Sequence, residues 1–234
     1  MQLMFMTGRT LCVGLAMGMG LALAPMQSFA DQLVRPAAGV TRIVFNTPGE
    51  LLVRPGAEQK LLVEAEAKVL AQLDISVKGD TLTLASKGSF KTDKGLKYTL
   101  TIKAFRALKT GASGNSRIEG FSGSDVDIEL GGSGDVGLKN VTAGRLGILI
   151  KNSGNVEATG SGKSVVARID GAGNIDTTNF PAPVVEARLD GSGTIRVHAD
   201  ESLKAAIAGA GNIEYKGKAK VTQSITGAGN VGRI

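Results

Sequence analysis

Seven short phrases, Ser113-Gly114-Asn115, Ser133-Gly134-Asp135, Ser153-Gly154-Asn155, Ala172-Gly173-Asn174, Ser192-Gly193-Thr194, Ala210-Gly211-Asn212 and Ala228-Gly229-Asn230, recur along the second half of the chain. Their central glycines are spaced 20, 20, 19, 20, 18 and 18 residues apart. A fixed period near 20 residues is the mark of a solenoid, in which each repeat adds one coil. The residues around each phrase keep register. Two positions after the glycine stand Val136, Val156, Ile175, Ile195, Ile213 and Val231, with Ser116 as the departure in the first copy. Four positions before it stand Leu130, Ile150, Ile169, Leu189, Ile207 and Ile225, and two before those Leu108, Ile128, Ile148, Ala167, Ala187 and Ala205. Polar residues such as Glu129, Arg168, Arg188, Glu157, Asp176 and Arg196 fill the gaps. This alternation of period two, on both sides of the glycine, predicts strand, tight turn, strand and a variable loop back.

The chain is therefore expected to be all-β: a parallel β-helix of about 18–20 residues per coil, right-handed because the short hexad repeat of left-handed forms is absent. The turn residues Gly114, Gly134, Gly154, Gly173, Gly193, Gly211 and Gly229 are expected at positive φ, so that valine at Gly173 or Gly211 would be strongly destabilising. The residues that follow, among them Asn155, Asn174, Asn212 and Asn230, are expected to stack from coil to coil as a side-chain ladder.

Residues 31–110 have a different texture, with strands expected at 40–45, 50–53, 61–65, 73–77, 81–84 and 98–102 and one helical turn at 68–72. This β-rich segment is expected to cap the coils of 111–234, the two together making one continuous domain. The polar stretch Lys87–Gly95 reads as the mobile loop. At the other end Ile234 follows Gly229 by five residues with no polar capping segment, so the C-terminal coil is expected to be a contact surface, self-associating or docking on a partner.

Composition narrows the function. The chain of 234 residues has one Cys, one His, no Trp and a net charge of +6. One His removes most zinc sites and triad designs. All six Met and the lone Cys12 lie in the first 26 residues, around an apolar run from Leu11 to Ala24 preceded by Arg9 and closed by Ser28-Phe29-Ala30. Residues 1–30 thus read as a secretory signal peptide. The remainder carries 26 Lys+Arg against 21 Asp+Glu, net +5, and no Cys. Without a basic tract or an aromatic stacking platform it does not read as a nucleic-acid binder.

The repeated Gly173-Asn174-Ile175 and Gly211-Asn212-Ile213, the variants Gly134-Asp135-Val136, Gly154-Asn155-Val156 and Gly229-Asn230-Val231, and the leader strands Thr41–Phe45 and Gly79–Leu84 carry a resemblance to the GIN-domain family of putative autotransporter adhesin heads in bacterial envelope proteins. The likeness covers about residues 38–234, with Thr194 as a departure from the Asn or Asp rung. It implies a right-handed β-helix shaped like the pectin lyases but without their catalytic residues, and an adhesion role at the periplasm, outer membrane or cell surface. The expected partners are polysaccharide or protein ligands of the envelope or the extracellular space.

Two features invite other chemistry. Asp170 and Asp190 before their glycine turns resemble calcium-binding turns, but the nine-residue spacing of such sites is missing and they read as structural. The same two acids, one coil apart beside Arg168 and Arg188, would suit polysaccharide cleavage. Because the charges follow the repeat rather than break it, they read as an outward charge ladder, and no catalytic residue, cofactor or metal is assigned. His198 reads as a surface loop residue, Tyr215 as core or end packing, and Phe180 as a pin for its loop.

Overall fold

The computed structural model describes residues 31–90 and 95–234; residues 1–30, where a signal peptide is expected, and part of the Lys87–Gly95 stretch lie outside the described residues. The logic of a coil is visible in the strand β11 (Val136–Ile150). Val136 and Leu138 are buried, then Val141 and Ala143, then Leu146, Ile148 and Ile150. The alternation slips phase at Lys139–Asn140 and again at Gly144–Arg145, where two neighbours in a row are not buried. Such slips are corners, because a strict period of two cannot keep one face inward around a bend. Asn140 turns the first corner with φ 54°, a conformation that asparagine tolerates. One long strand thus wraps three sides of a column.

The strands β10 (Ser122–Leu130), β12 (Asn155–Ile169), β13 (Asn174–Leu189), β14 (Thr194–Ile207), β15 (Asn212–Lys216), β16 (Lys220–Ile225) and β17 (Asn230–Arg233) continue it. Every coil pairs parallel with the next. Val136, Val156, Ile175, Ile195, Ile213 and Val231 share one register column, and Ile150, Ile169, Leu189, Ile207 and Ile225 another. Identical inward positions stack about 4.8 Å apart, so the core is continuous although no coil buries its own face. The all-β, β-helical class expected from the repeat is the one found.

The first coils are threaded in a different order from the sequence. β2 (Arg42–Asn46) and β3 (Glu50–Pro55) pair parallel with β8 (Ala107–Thr110) and β9 (Asn115–Glu119), forming the coil beneath them. β6 (Thr81–Ser86) and β7 (Lys97–Ile102) pair parallel with β2 and β3 from the other side. In space the column therefore begins with residues 81–102, continues through 42–55, and only then takes up 107–119. Three antiparallel strands close its end: β5 (Leu73–Lys78) on β6, β4 (Lys60–Ala65) on β7, and β1 (Asp31–Pro36) on β4. The short helix α1 (Ala67–Leu70) links β4 to β5 and buries Val69. Residues 31–110 thus divide between cap and column, and the coil formed by β8 and β9 runs across the 110/111 boundary.

The first coils bury two large rings against each other. Phe45 and Tyr98 meet edge to face with centroids 5.6 Å apart, and the Tyr98 hydroxyl reaches Thr47 Oγ1 at 3.4 Å. Burial pushes the Tyr98 phenol up to about 12, although the Thr47 contact works the other way. Phe180 is fully buried against Gly162, inside the continuous strand β13, where the expected return loop is strand instead; Tyr215 packs half-buried at the edge of the core.

Candidate functional site

Three surfaces carry the residues singled out by the repeat. The first is the glycine corner. None of Gly114, Gly134, Gly154, Gly173, Gly193, Gly211 and Gly229 has left-handed backbone, which corrects the expectation of positive φ. The glycines are needed for close approach instead. A Cβ on Gly173 would overlap the Gly154 carbonyl oxygen and stand 2.9 Å from Ile150 Cγ2, and one on Gly134, Gly154, Gly193 or Gly211 would strike the carbonyl of the preceding glycine in the same way. The corner is narrow because it is hydrogen-bonded from coil to coil: Ala172 N–H to Asn152 O at 2.9 Å, Asn174 N–H to Gly154 O at 3.3 Å, Asn212 N–H to Gly193 O at 3.1 Å and Asn230 N–H to Gly211 O at 3.2 Å. A side chain there would have to sit inside the parallel ladder.

Next to the glycines runs a polar ladder. Asp135 N–H donates to Asn115 Oδ1 at 3.0 Å. Asn155 donates to Asp135 Oδ1 through both its backbone N–H, 3.2 Å, and its side-chain amide, 2.8 Å. Asn174 Nδ2 donates to Asn155 Oδ1 at 2.9 Å, and Thr194 N–H to Asn174 Oδ1 at 3.1 Å. Thr194 is the last donor of this ladder: among the described residues no side-chain bond carries it on to Asn212 or Asn230, which are tied to the coil before by backbone bonds alone, a correction to the expectation that they are rungs.

The second surface is the outer face of the strands that lead into the corner. Here opposite charges close on one another: Arg145 on Asp127 at 2.7 Å, Lys151 on Glu129 at 2.7 Å, Lys109 on Glu129 at 3.2 Å. Lys151, with Lys109 behind it, holds the Glu129 carboxyl below the usual carboxylate range against a smaller effect of burial. Arg168 bonds Asp170 at 2.6 Å and reaches Asp190 at 3.2 Å, while Arg188 bonds Asp190 at 2.7 Å. Asp170 and Asp190 are thus occupied by guanidinium groups, an outward ladder of half-exposed pairs. His198 lies half-buried on the return side, with Nδ1 3.3 Å from Thr178 O and Nε2 3.2 Å from Asp200.

The third surface, the outer face of the strands that leave the corner, holds what the repeat did not announce. A groove of about 710 Å³ crosses β7, β3, β9, β11 and β12. Its central row in register is Thr99, Leu52, Arg117, Gly137 and Glu157. The ladder residues Asn115, Asp135 and Asn155 run along one side. Higher on the same row Arg196 and Glu214 stand on adjacent strands and pair at 2.7 Å. The expectation that the charges simply follow the repeat fails at Gly137, where the row has no side chain at all. The sign of it in the sequence is that Gly137 stands where five other copies carry Arg117, Glu157, Asp176, Arg196 and Glu214; the last copy, on β17, has Gly232 in the same row.

Comparisons with known proteins agree with this architecture. The fold matches a putative adhesin from Bacteroides fragilis with a TM-score of 0.84 at 27% identity, over 88% of this chain and 98% of that one. A putative lipid-binding protein from Parabacteroides distasonis matches with a TM-score of 0.68 at 23% identity, covering 89% and 98% of the two chains. A putative adhesin from Parabacteroides merdae matches with a TM-score of 0.65 at 20% identity, covering 89% and 97%. The last two likenesses speak to fold alone. No functionally curated protein matches the sequence. Residues 40–219 match the family model described as putative auto-transporter adhesin, head GIN domain, and the chain belongs to that family.

Proposed function

We propose that this protein is an exported, non-enzymatic adhesin-type scaffold that presents the outer faces of its β-helix to polysaccharide or protein ligands of the cell envelope or the extracellular space. The observation that carries the reading is how the side chains are used. Inward positions build the core and corner positions stack the coils, which leaves the outer rows as a rigid polar surface whose acids at 170 and 190 are held by Arg168 and Arg188. Such a surface is preorganised for binding, since little side-chain freedom remains to be lost on contact. An acid–base pair for glycoside cleavage needs carboxyl groups free to exchange protons, which guanidinium-bound carboxylates are poorly placed to do.

Two measurements test this. Cell fractionation with surface proteolysis should find the protein outside the cytoplasm, and purified protein should bind envelope or extracellular-matrix preparations saturably. Exclusive recovery in the cytoplasm would overturn the reading. So would cleavage of an acidic polysaccharide that is abolished by Asp170→Ala together with Asp190→Ala. Self-association through the C-terminal coil belongs to the same reading, because Ile225 is 40% and Ile234 55% exposed there. Sedimentation at micromolar concentration decides it: a strict monomer whose β17 is protected from hydrogen exchange removes that part.

A further inference from the structure

Glycine inside a strand weakens it by roughly 0.5–1 kcal/mol and is kept where backbone must approach something closely. Most strand glycines here have such a reason. A Cβ on Gly144 would stand 2.5 Å from Ser124 O, and one on Gly162 2.7 Å from the Phe180 ring. Gly137 has none. Its backbone is not left-handed, and among the described strand glycines it is the one beside which nothing stands within 4 Å.

The residues on either side give the empty position a chemical character. Arg117 and Glu157 flank Gly137 in register on the neighbouring strands, roughly 9.6 Å apart at two strand spacings. Both side chains are exposed, and among the described residues neither has a hydrogen-bond or ion-pair partner. Where the same row sets opposite charges on adjacent strands, at Arg196 and Glu214, they close to 2.7 Å. Gly137 therefore holds an arginine and a glutamate open across a gap about one sugar ring wide. The floor of the gap is Gly137, the half-buried Leu52 continues the row beyond Arg117, and Asp135 stands beside Gly137 with only Oδ1 engaged.

We propose that this gap binds a sugar-acid residue of an acidic glycan, its carboxylate on the Arg117 guanidinium and its ring hydroxyls donating to Glu157 and Asp135. A guanidinium fork suits a carboxylate, and carboxylates accept from hydroxyls. A peptide strand has less to gain here, because the floor is a sheet face whose backbone groups are already spent in the ladder, not a free edge. This assignment rests on the reading of the outer faces as binding surfaces and names the ligand class of one of them.

The test is calorimetric titration of the full chain with an oligogalacturonate and with a neutral galactan oligomer of equal length. The acidic oligomer should bind and the neutral one bind at least ten-fold more weakly, and Arg117→Ala should weaken the acidic oligomer by about ten-fold or more, the worth of a charge-assisted hydrogen bond. Gly137→Val fills the gap and should abolish binding while the melting temperature holds or rises, since valine favours a strand. No binding of oligogalacturonate, equal binding of the neutral oligomer, or unchanged affinity in Gly137→Val overturns the assignment. The outcome is separable from the adhesin reading. Matrix binding that persists in Gly137→Val without competition by oligogalacturonate removes the groove alone. Oligogalacturonate binding that is lost in Gly137→Val, in a protein confined to the cytoplasm, keeps the groove and removes the adhesin.

Discussion

Gly173→Ala adds one methyl group inside a corner of the column where successive coils are in close contact. That Cβ would overlap the carbonyl oxygen of Gly154 and sit 2.9 Å from Ile150 Cγ2. To reach an ordinary C···O contact of roughly 3.3 Å the corner must lift by about 1 Å. The lift stretches the Asn174 N–H to Gly154 O bond, already 3.3 Å, and pulls on the Asn174 to Asn155 side-chain bond at 2.9 Å. Overpacking costs about 1–3 kcal/mol. A weakened backbone hydrogen bond adds about 0.5–1.5 kcal/mol. The reduced chain entropy of alanine in the unfolded state returns about 0.4–1 kcal/mol. The net is a loss centred near ~2 kcal/mol, within a span of roughly 0.5–4, or a fall in melting temperature of about 4–8 °C at that centre for a domain of this size. Circular dichroism or calorimetry reads it directly, with Gly137→Ala as the control: that Cβ meets nothing, so its melting temperature should hold or rise. Gly173→Asn separates the contact account from the left-handed one, because asparagine tolerates positive φ but carries the same Cβ. The contact account is refuted if Gly173→Ala melts with the wild type, or if Gly173→Asn is well tolerated while Gly173→Ala is not.

Three further outcomes follow from the packing. Ser116→Val should stabilise by roughly 1–3 kcal/mol, read as a higher urea midpoint, because the Ser116 hydroxyl is buried without a hydrogen-bond partner between the register neighbours Leu51 and Val136; a lower midpoint would mean that the hydroxyl is satisfied after all. Phe180→Ala should cost about 3–5 kcal/mol and open the return side of β13 to protease, since the fully buried ring fills the space beside Gly162; an unchanged cleavage pattern would show that this part of the strand holds without the ring. For Glu129 the sign is set by its lowered pKa: the ionised form stabilises the fold above the unfolded value of about 4.3, and that contribution is lost as pH falls through the lower folded value. Glu129→Gln should therefore melt below wild type at neutral pH and converge with it in acid, whereas a gap independent of pH would count against the ion pairs as its source.

The inward columns were legible because parallel pairing forces each coil to repeat the hydrophobic phase of the last, so Ile150, Ile169, Leu189 and Ile207 had to recur at one spacing. The threading of the first coils was not legible. β2 and β3 turn their corner through Thr47-Pro48-Gly49, with Gly49 at φ +116° and Thr47 buried under Tyr98, and so lack the phrase that marks the later corners. Which strand lies beneath which is then decided by pairings 39 or more residues apart, such as Arg42 with Thr81, and local pattern carries no trace of them. β1, with Pro36 and two charged residues among its six, carries no strand signal of its own and exists because β4 offers it an edge. The glycine phrase pointed to the right positions for the wrong reason. Composition alone cannot tell a glycine that needs left-handed backbone, such as Gly227 at φ +135°, from one that needs room, such as Gly229.

This separation of roles makes the outer rows informative. In a stacked coil the core fixes the inward residues and the corner fixes the glycines, while an outward residue is constrained only by its neighbours above and below. Where those neighbours pair, as Arg168 and Arg188 do with Asp170 and Asp190, a duplicated repeat explains the pattern and nothing further is called for. Where they do not, the fold gives no account. Arg117 and Glu157 could have closed on a residue at 137 of either sign, and a glycine that serves neither turn nor packing stands there instead. An unpaired arginine and an unpaired glutamate on either side of a glycine that meets nothing are the signature expected of a position shaped by something outside the chain.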